Sequence, residues 1–136
     1  MANVLSYQGY HKGIGRTPFW RVWLATFSGN AGAANTEVLN FNTATNPNGL
    51  EDYQVPSFTS SFMVPVVLGF TTGGNVPELQ YNGNGTAGEA GITFYSAGNT
   101  PVTSGAYSAA GFPATSTVNS VQQYGQVWIG VMDNLG

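Results

Sequence analysis

Residues 17–27 constrain the fold most, because they form an extended run that is apolar on both faces. Alternate residues of a strand share a face, so Trp23 and Phe27 fall on one face while Trp20 and Leu24 fall on the other. Such a strand needs cover on both sides. It is either central in a sandwich, or packed on the core with one face and on another molecule with the other. The run from 126 to 132 has the same two-sided character, and we expect the two runs to pair in one sheet.

The rest of the chain consists of short apolar runs separated by turn residues, and no segment keeps a 3.6-residue apolar period over ten or more residues. Pro56 and Pro65 lie inside two of these runs and predict edges or corners, because proline cannot donate to a ladder. We expect an all-β fold, a jelly-roll-like β-sandwich of about eight short strands with long Gly/Asn/Thr-rich loops. An immunoglobulin-like sandwich is the alternative. The strand candidates are residues 4–10, 18–27, 36–41, 53–58, 62–70, 76–81, 90–95 and 126–132, with 118–124 as a strand or a short helical turn and 96–117 as a long ordered loop.

The charges divide the chain into an N-terminal arm, residues 1–16, and a single β-sandwich domain, residues 17–136. Lys12, Arg16 and Arg21 are the only basic residues and precede all six acidic residues. Three glycines in the arm raise the cost of ordering it, so we expect few intramolecular contacts there and ordering mainly by a partner. An acidic neighbour, such as a copy of the chain, fits this arm. Solvated charges in a loop are the alternative interpretation.

The composition favours a protein that packs against other proteins. Charged residues make up 7% of the chain, against ~25% in typical domains. Hydrophobic residues make up 42%, which argues against disorder. Uncharged polar surfaces suit close packing, because little charge has to be desolvated. Three basic residues are too few for a nucleic-acid surface, and no apolar run approaches the ~20 residues that span a membrane.

Residue types that carry enzyme chemistry are few and scattered. His11 is the only histidine, and nothing in the sequence orients it. Glu51 and Asp52 are adjacent, so their side chains point to opposite faces of an extended chain. The chain has no cysteine, and no acidic residues have calcium-loop spacing. Residues 83–88 match a dinucleotide fingerprint as a string, but strand-like residues follow where a helix is required. We expect no catalysis, no metal and no cofactor.

Tyrosine, asparagine and threonine are the side chains left for binding. Aromatic rings rimmed by amides and hydroxyls line protein interfaces and carbohydrate sites alike, and some of the tyrosines will be core residues. The residues predicted to contact a partner are Tyr7, Tyr10, Lys12, Arg16, Trp20 and Arg21.

The whole pattern resembles structural proteins of tailed-phage virions. A short cysteine-free chain with little charge, Gly/Asn/Thr-rich loops and strand runs at 19–27, 62–70 and 126–132 is most similar to their jelly-roll decoration, or cement, proteins. The resemblance extends over the whole chain in its length, composition and pattern of strands and loops. It includes no diagnostic motif. The start also lacks the basic and apolar segments of a secretory signal, which predicts synthesis in the host cytoplasm.

The resemblance implies a structural protein on the capsid exterior that binds the major capsid protein and copies of itself, as dimer or trimer, and stabilises the shell. A tail-fibre domain or a carbohydrate-binding, lectin-like β-sandwich module is the alternative. The two differ in where exposed aromatic residues lie: over a broad flat surface and the arm for a cement protein, and at loop tips for a carbohydrate-binding module.

Overall fold

The computed structural model describes residues 2–12, 19–28, 36–51, 55, 57–59, 64–72, 75–81, 86–96, 100–101, 116–118 and 121–133. Within these residues the chain forms nine strands and one short 3-10 helix. The strands are β1 (Ala2–Lys12), β2 (Phe19–Ser28), β3 (Thr36–Asn40), β4 (Pro65–Thr71), β5 (Val76–Tyr81), β6 (Glu89–Ser96), β7 (Thr100–Pro101), β8 (Ser116–Val118) and β9 (Val121–Asp133), and the 3-10 helix is Phe41–Thr43.

The strands form two antiparallel sheets that pack as a β-sandwich. Sheet A has the order β1-β2-β9-β4, with β8 paired to β9. Sheet B has the order β3-β6-β5, with β7 paired to β6. The expected all-β sandwich is confirmed, and so is the expected pairing of the two-sided runs, since Trp23 of β2 lies opposite Ile129 of β9. The jelly-roll form of the sandwich stays a prediction.

Trp23 is the centre of the core at one end of the sandwich. Its side chain is fully buried. Its ring centroid lies 5.2 Å from that of Tyr7, 4.9 Å from that of Phe41 and 6.0 Å from that of Phe58. These three residues come from β1, the 3-10 helix and the segment after it, so one tryptophan joins parts of the chain that are distant in sequence.

The two sheets meet through their buried faces. Phe27 of sheet A and Phe94 of sheet B pack edge to face, with ring centroids 5.0 Å apart. Burying apolar side chains of this size stabilises the fold by ~1.5–3 kcal/mol each before entropy is counted. The other buried apolar residues of the core are Leu5, Tyr7, Trp23, Ala25, Leu39, Phe41, Ala90, Ile92, Val127, Ile129 and Val131.

The strand predicted at 4–10 is confirmed, but the N-terminal arm predicted around it is wrong for residues 2–12, which form strand β1 of sheet A. Leu5 and Tyr7 are buried in the core, so this segment makes extensive intramolecular contacts. The register shifts between Tyr7 and Gly9, which makes Gln8 the extra residue of a β-bulge. Gly9 has a φ of 120°, a conformation that glycine adopts far more easily than other residues. Residues 13–18 lie outside the described part of the chain.

Other strand predictions have mixed outcomes. The hairpin of 76–81 and 90–95 is confirmed, since β5 and β6 pair along their length. Pro65 begins β4, an edge strand of sheet A, as expected for a proline. The strand predicted at 53–58 is wrong for Val55, Ser57 and Phe58, which lie outside strands. The predicted loop at 96–117 contains the short strand β7 and the start of β8, and the rest of it lies outside the described residues.

The side chain of Asn42 connects three segments of the chain by hydrogen bonds beside the core. Its Nδ2 donates to the carbonyls of Phe58 at 3.3 Å and Ala87 at 3.2 Å, while the Phe58 N–H donates to Asn42 Oδ1 at 2.9 Å. Gly88 lies directly against this side chain and has a φ of 76°. Its carbonyl accepts the N–H of Phe41 at 2.8 Å. These contacts hold the turn before β6 against the 3-10 helix.

Candidate binding face on sheet A

The outer face of sheet A, the face turned away from sheet B, is the candidate functional site. Cross-strand register decides which residues share it, because side chains of paired residues lie on the same face of a sheet. Val22 pairs with Gly9 on one side and Gly130 on the other, and Leu24 pairs with Trp128. The described side chains of this outer face come from Val4, Ser6, Gln8, Val22, Leu24, Thr26, Val66, Leu68, Thr71, Gln126 and Trp128, with glycines at 9, 69 and 130.

This outer face carries no charged side chain among the residues just named. Several of its apolar side chains are open to solvent: Val4 is 51% exposed, Leu68 52% and Trp128 39%. A further group, Val22 and Leu24 among them, is half-buried. An apolar, uncharged surface that crosses four strands is typical of a surface that packs against another molecule.

A groove crosses the centre of the outer face and has a volume of ≈ 390 Å³. Val22 forms part of its floor, and the strands on both sides of Val22 have glycine at the paired positions. Because glycine has no side chain, the backbone of the sheet is uncovered at these two positions. The side chains of neighbouring residues project beyond it. The groove is lined by Gln8, Gly9, Tyr10, Val22, Leu68, Gly69 and Trp128.

The bulges of β1 and β4 shape the two walls of the groove. In β4 the register with β9 shifts between Val67 and Gly69, so Leu68 is the extra residue and stands on the groove side. In β1 the bulge places Gln8 on the opposite wall, beside Gly9. Tyr10 also borders the groove but pairs with the buried Arg21, so its side chain belongs to the other face of the strand. Bulges re-aim side chains in this way without interrupting the sheet.

The outer face of sheet B differs in charge. Glu78 is exposed on β5, opposite Thr93 of β6, and Glu89 is half-buried at the start of β6. Glu89 Oε1 accepts a hydrogen bond from Asn40 Nδ2 at 3.4 Å. If an apolar partner covered these carboxylates, binding would lose the free energy of their hydration. Of the two described outer faces, that of sheet A is therefore better suited to apolar contact.

The edge strands β1, β4 and β5 are poorly suited to pairing with another chain. The edge of β1 is covered by the segment around Thr45, whose N–H donates to the Leu5 carbonyl at 2.9 Å and whose carbonyl accepts the Tyr7 N–H at 2.8 Å. The edge strands β4 and β5 carry Pro65 and Pro77, and each proline removes one ladder donor. These features favour contact through a face over addition of a strand at these three edges.

Two of the predicted partner-binding residues are core residues instead. Tyr7 is fully buried and Arg21 is only 7% exposed. Arg21 Nη1 donates to the Tyr7 hydroxyl at 3.1 Å. The prediction that these two side chains contact a partner is wrong for the fold described, because the core covers them. A buried arginine with a charge-assisted hydrogen bond of this kind stabilises the packing of β1 on β2.

The other predicted residues have different outcomes. Tyr10 is 43% exposed, lines the groove and lies over Arg21, whose guanidinium carbon is 5.7 Å from the ring centre. Trp20 pairs through its backbone with His11 and Met132, but its side chain, like that of Lys12, lies outside what the structure describes. Arg16 lies outside the described residues.

Sequence reasoning did not single out Trp128, Leu68 or Gln8 as binding residues. Trp128 had a usable signal, because it lies in the second run with two apolar faces. Leu68 and Gln8 had none, since each reaches the groove through a bulge, and a bulge leaves no period in the sequence.

No group of three or more metal-binding side chains occurs in the part of the chain that the structure describes. Among the same residues, no helix has the length and apolar character needed to cross a membrane.

Comparisons of this chain with protein-family models, with curated proteins and with solved structures each found no match.

Proposed function

We propose that this protein is a structural virion protein, a decoration or cement protein that binds the outside of a tailed-phage head and stabilises the shell of major capsid protein. The observation that carries the proposal is the outer face of sheet A, which is broad, apolar and free of charge in its described residues. The resemblance in length and texture to jelly-roll cement proteins supports the same role.

Among the described residues, the exposed aromatic side chain on the outer face of sheet A is that of Trp128, which lies within strand β9. Tyr10 and Phe70 are also exposed and also lie on strands, but they pair with Arg21 and Val127, which places them on the core side of the sheet. An aromatic side chain within a strand suits a broad protein contact, whereas a shallow sugar site would gather such side chains at loop tips.

The proposed mechanism is burial of surface, without catalysis or a cofactor. Each copy covers apolar side chains of the outer face of sheet A and matching neutral groups of the shell. A protein that binds the assembled shell and not its loosened form stabilises the shell by mass action. Many repeated sites make the total effect large even when each contact is weak. Nucleic acid and membranes have no place in this mechanism, and the protein would be made in the host cytoplasm before it joins the capsid exterior.

Co-sedimentation with empty tailed-phage shells that lack a decoration protein tests the proposal. We expect the wild-type protein to pellet with the shells and to raise their thermal midpoint. Trp128→Ala should weaken binding by about 30-fold or more, which corresponds to the ~2 kcal/mol of an interface hot spot. Phe70→Ala is the matched control. Phe70 is 44% exposed in the same sheet but is paired with Val127, which lies on the core side.

The two variants separate a specific contact from general stickiness. Equal loss of shell binding in both would mean that the outer face of sheet A is not the contact, and absence of wild-type binding to any shell would refute the role itself.

A carbohydrate-binding role is the second candidate, and the groove is the observation that favours it. Trp128 offers an aromatic ring and Gln8 offers an amide at one site, and this combination suits stacking against a sugar ring and hydrogen bonding to its hydroxyls. A glycan array decides between the two candidates. Specific glycan binding that Trp128→Ala abolishes, together with no shell binding, would favour the carbohydrate role.

A further inference from the structure

We propose that the outer edge of strand β3 binds an extended peptide segment of a partner protein, which adds to sheet B as a further strand. The proposal concerns a different surface from the outer face of sheet A and does not depend on the virion role. β3 is the first strand in the order of sheet B, so one of its edges faces away from β6. Partner recognition by strand addition uses an open edge of this kind.

The hydrogen bonds beside β3 show which of its backbone groups point away from β6. In an antiparallel pair, every second residue exchanges hydrogen bonds with the neighbouring strand, and the residues between them direct N–H and C=O outward. The N–H of Phe41 donates to the Gly88 carbonyl at 2.8 Å and continues the ladder between β3 and β6. Leu39, two residues earlier, therefore bonds to β6, whereas Val38 and Asn40 direct their backbone groups outward.

These outward groups are poorly satisfied within the chain. The Val38 carbonyl accepts a hydrogen bond from Asn3 Nδ2 at 3.4 Å, and the Asn40 carbonyl accepts one from Thr43 Oγ1 at 3.3 Å. Both hydrogen bonds are long. Among the described residues, neither the Val38 N–H nor the Asn40 N–H has a partner outside β3 and β6, and Val38 is 52% exposed. The backbone of an added strand would supply partners for all four groups.

β3 lacks the features that obstruct strand addition at the other three edges. The edge of β1 is covered by the segment around Thr45, and β4 and β5 carry prolines. The five residues of β3 include neither proline nor glycine, and their register with β6 is continuous. A pocket of ≈ 290 Å³ lies beside this edge, with Asn3, Val38, Asn40 and Thr43 in its lining. The pocket provides room for an added backbone.

The side chains of β3 define the chemistry of the partner segment. In an antiparallel addition centred on Val38, the two neighbouring partner residues lie opposite Leu39 and Glu37. A β-branched residue fits beside the buried Leu39. A lysine or arginine opposite Glu37 forms a cross-strand pair of opposite charge, and residues 36–45 and 86–96 contain no basic residue that would repel it. A second copy fits less well, because its own β3 would bring another Glu37 to the same short edge.

Nuclear magnetic resonance titration of the full-length protein tests the proposal. The probe is a set of peptides of about seven residues with blocked ends, with valine, isoleucine or threonine at every position except the fifth, which is lysine. We expect the strongest binder to have a dissociation constant on the order of 0.1–1 mM. It should shift the amide signals of Val38 and Asn40 most and slow hydrogen exchange at Val38. The same peptide with glutamate at the fifth position should bind at least ~3-fold more weakly at low salt.

Two substitutions at Val38 separate backbone pairing from side-chain contact. Val38→Pro removes only an outward N–H, a position that an edge strand tolerates, and should weaken binding at least ~10-fold. Val38→Thr keeps the N–H and the β-branched shape and should change binding less than ~2-fold. If Val38→Pro fails to fold, N-methylation of the peptide keeps the test decisive. A methyl group on the nitrogen that faces Val38 should weaken binding at least ~10-fold, and one on the preceding nitrogen, which points away from β3, less than ~3-fold.

Three results would overturn the proposal: no peptide that shifts the β3 amides, equal weakening by Val38→Pro and Val38→Thr, or a Val38 amide signal that moves with protein concentration alone, which would make a second copy the occupant. Trp128→Ala separates this site from the proposed shell contact, because it should leave peptide binding unchanged. Shell binding without peptide binding would leave the virion role standing alone, and peptide binding without shell binding would leave the β3 site standing alone.

Discussion

The substitution Gly88→Ala tests the contact between Asn42 of the 3-10 helix and the turn before β6. A Cβ atom at residue 88 would lie 2.8 Å from Asn42 Cγ, closer than Cβ atoms approach other atoms in folded proteins, and 3.1 Å from Asn42 Oδ1, which is tighter than most such contacts. The Asn42 side chain must therefore leave its place, and its hydrogen bonds with Phe58 and Ala87 are lost.

The expected cost is the sum of a backbone part and a side-chain part. Alanine at the positive φ of residue 88, 76°, costs ~1–2 kcal/mol. The three hydrogen bonds of Asn42 are exposed to solvent, so each contributes about 0.5 kcal/mol, the low end of the usual range. We expect Gly88→Ala to lower the free energy of unfolding by ~2.5–3.5 kcal/mol and Asn42→Ala by ~1–2 kcal/mol.

The double variant separates this explanation from a simple sum. Once Asn42 is alanine, the three atoms nearest to a Cβ at residue 88 are gone, and the backbone cost of ~1–2 kcal/mol remains. The double variant should then be about as stable as Gly88→Ala alone. Gly49→Ala is the control, because Gly49 also has a positive φ, 63°, but a Cβ there would meet nothing within 4 Å.

Urea unfolding followed by tryptophan fluorescence and circular dichroism measures these differences, with an unchanged m-value as the sign that only stability changed. Gly88→Ala should cost more than Gly49→Ala, and only the former should depend on Asn42. If Gly88→Ala costs the same with and without Asn42, the two residues are not coupled and the packing argument is refuted.

Two further predictions concern β1 and the proposed shell contact. Deleting residues 1–12 should abolish cooperative unfolding in calorimetry, because Leu5 and Tyr7 leave the core and β2 loses a partner strand; a thermal midpoint within a few degrees of wild type would restore the arm interpretation. Shell binding should weaken less than ~3-fold in co-sedimentation between ~0.1 and ~1 M NaCl, because the described side chains of the outer face of sheet A carry no charge that a Debye length shortened from ~10 to ~3 Å could screen; loss of binding at moderate salt would contradict an apolar contact.

The all-β fold class and several of the strand pairings could be predicted from the sequence alone. Side-chain alternation is a local property of an extended backbone, so the two-sided runs at 17–27 and 126–132 could be recognised and paired without a structure. The hairpin of β5 and β6 is also local, since its strands are consecutive in the chain. Pro65 indicated an edge for an equally local reason, the missing N–H of proline.

The sequence predicted a strand at 4–10, but its assignment to a loosely held arm was wrong, because the bulge breaks the alternation that marks a core strand. Leu5 and Tyr7 follow the alternation of side chains and lie on the core face. After Gln8 the register shifts, and Tyr10 pairs with Arg21. A segment with glycine, lysine and histidine after this point has the composition of a loose arm. Only pairing with β2, a contact between residues distant in sequence, orders it as a strand.

The tertiary structure alone decided which face of β2 is covered. Both faces of β2 are apolar in the sequence. The pattern therefore predicts that each face is covered, but it does not identify the segment or molecule that covers it. Packing of sheet B against the face of Trp23 and Phe27 made that face the core, and it drew Tyr7 and Arg21 inside with it. The face of Val22 and Leu24, left without a second sheet in the described chain, became the candidate binding face, because burial depends on which distant segments meet and not on the local alternation of side chains.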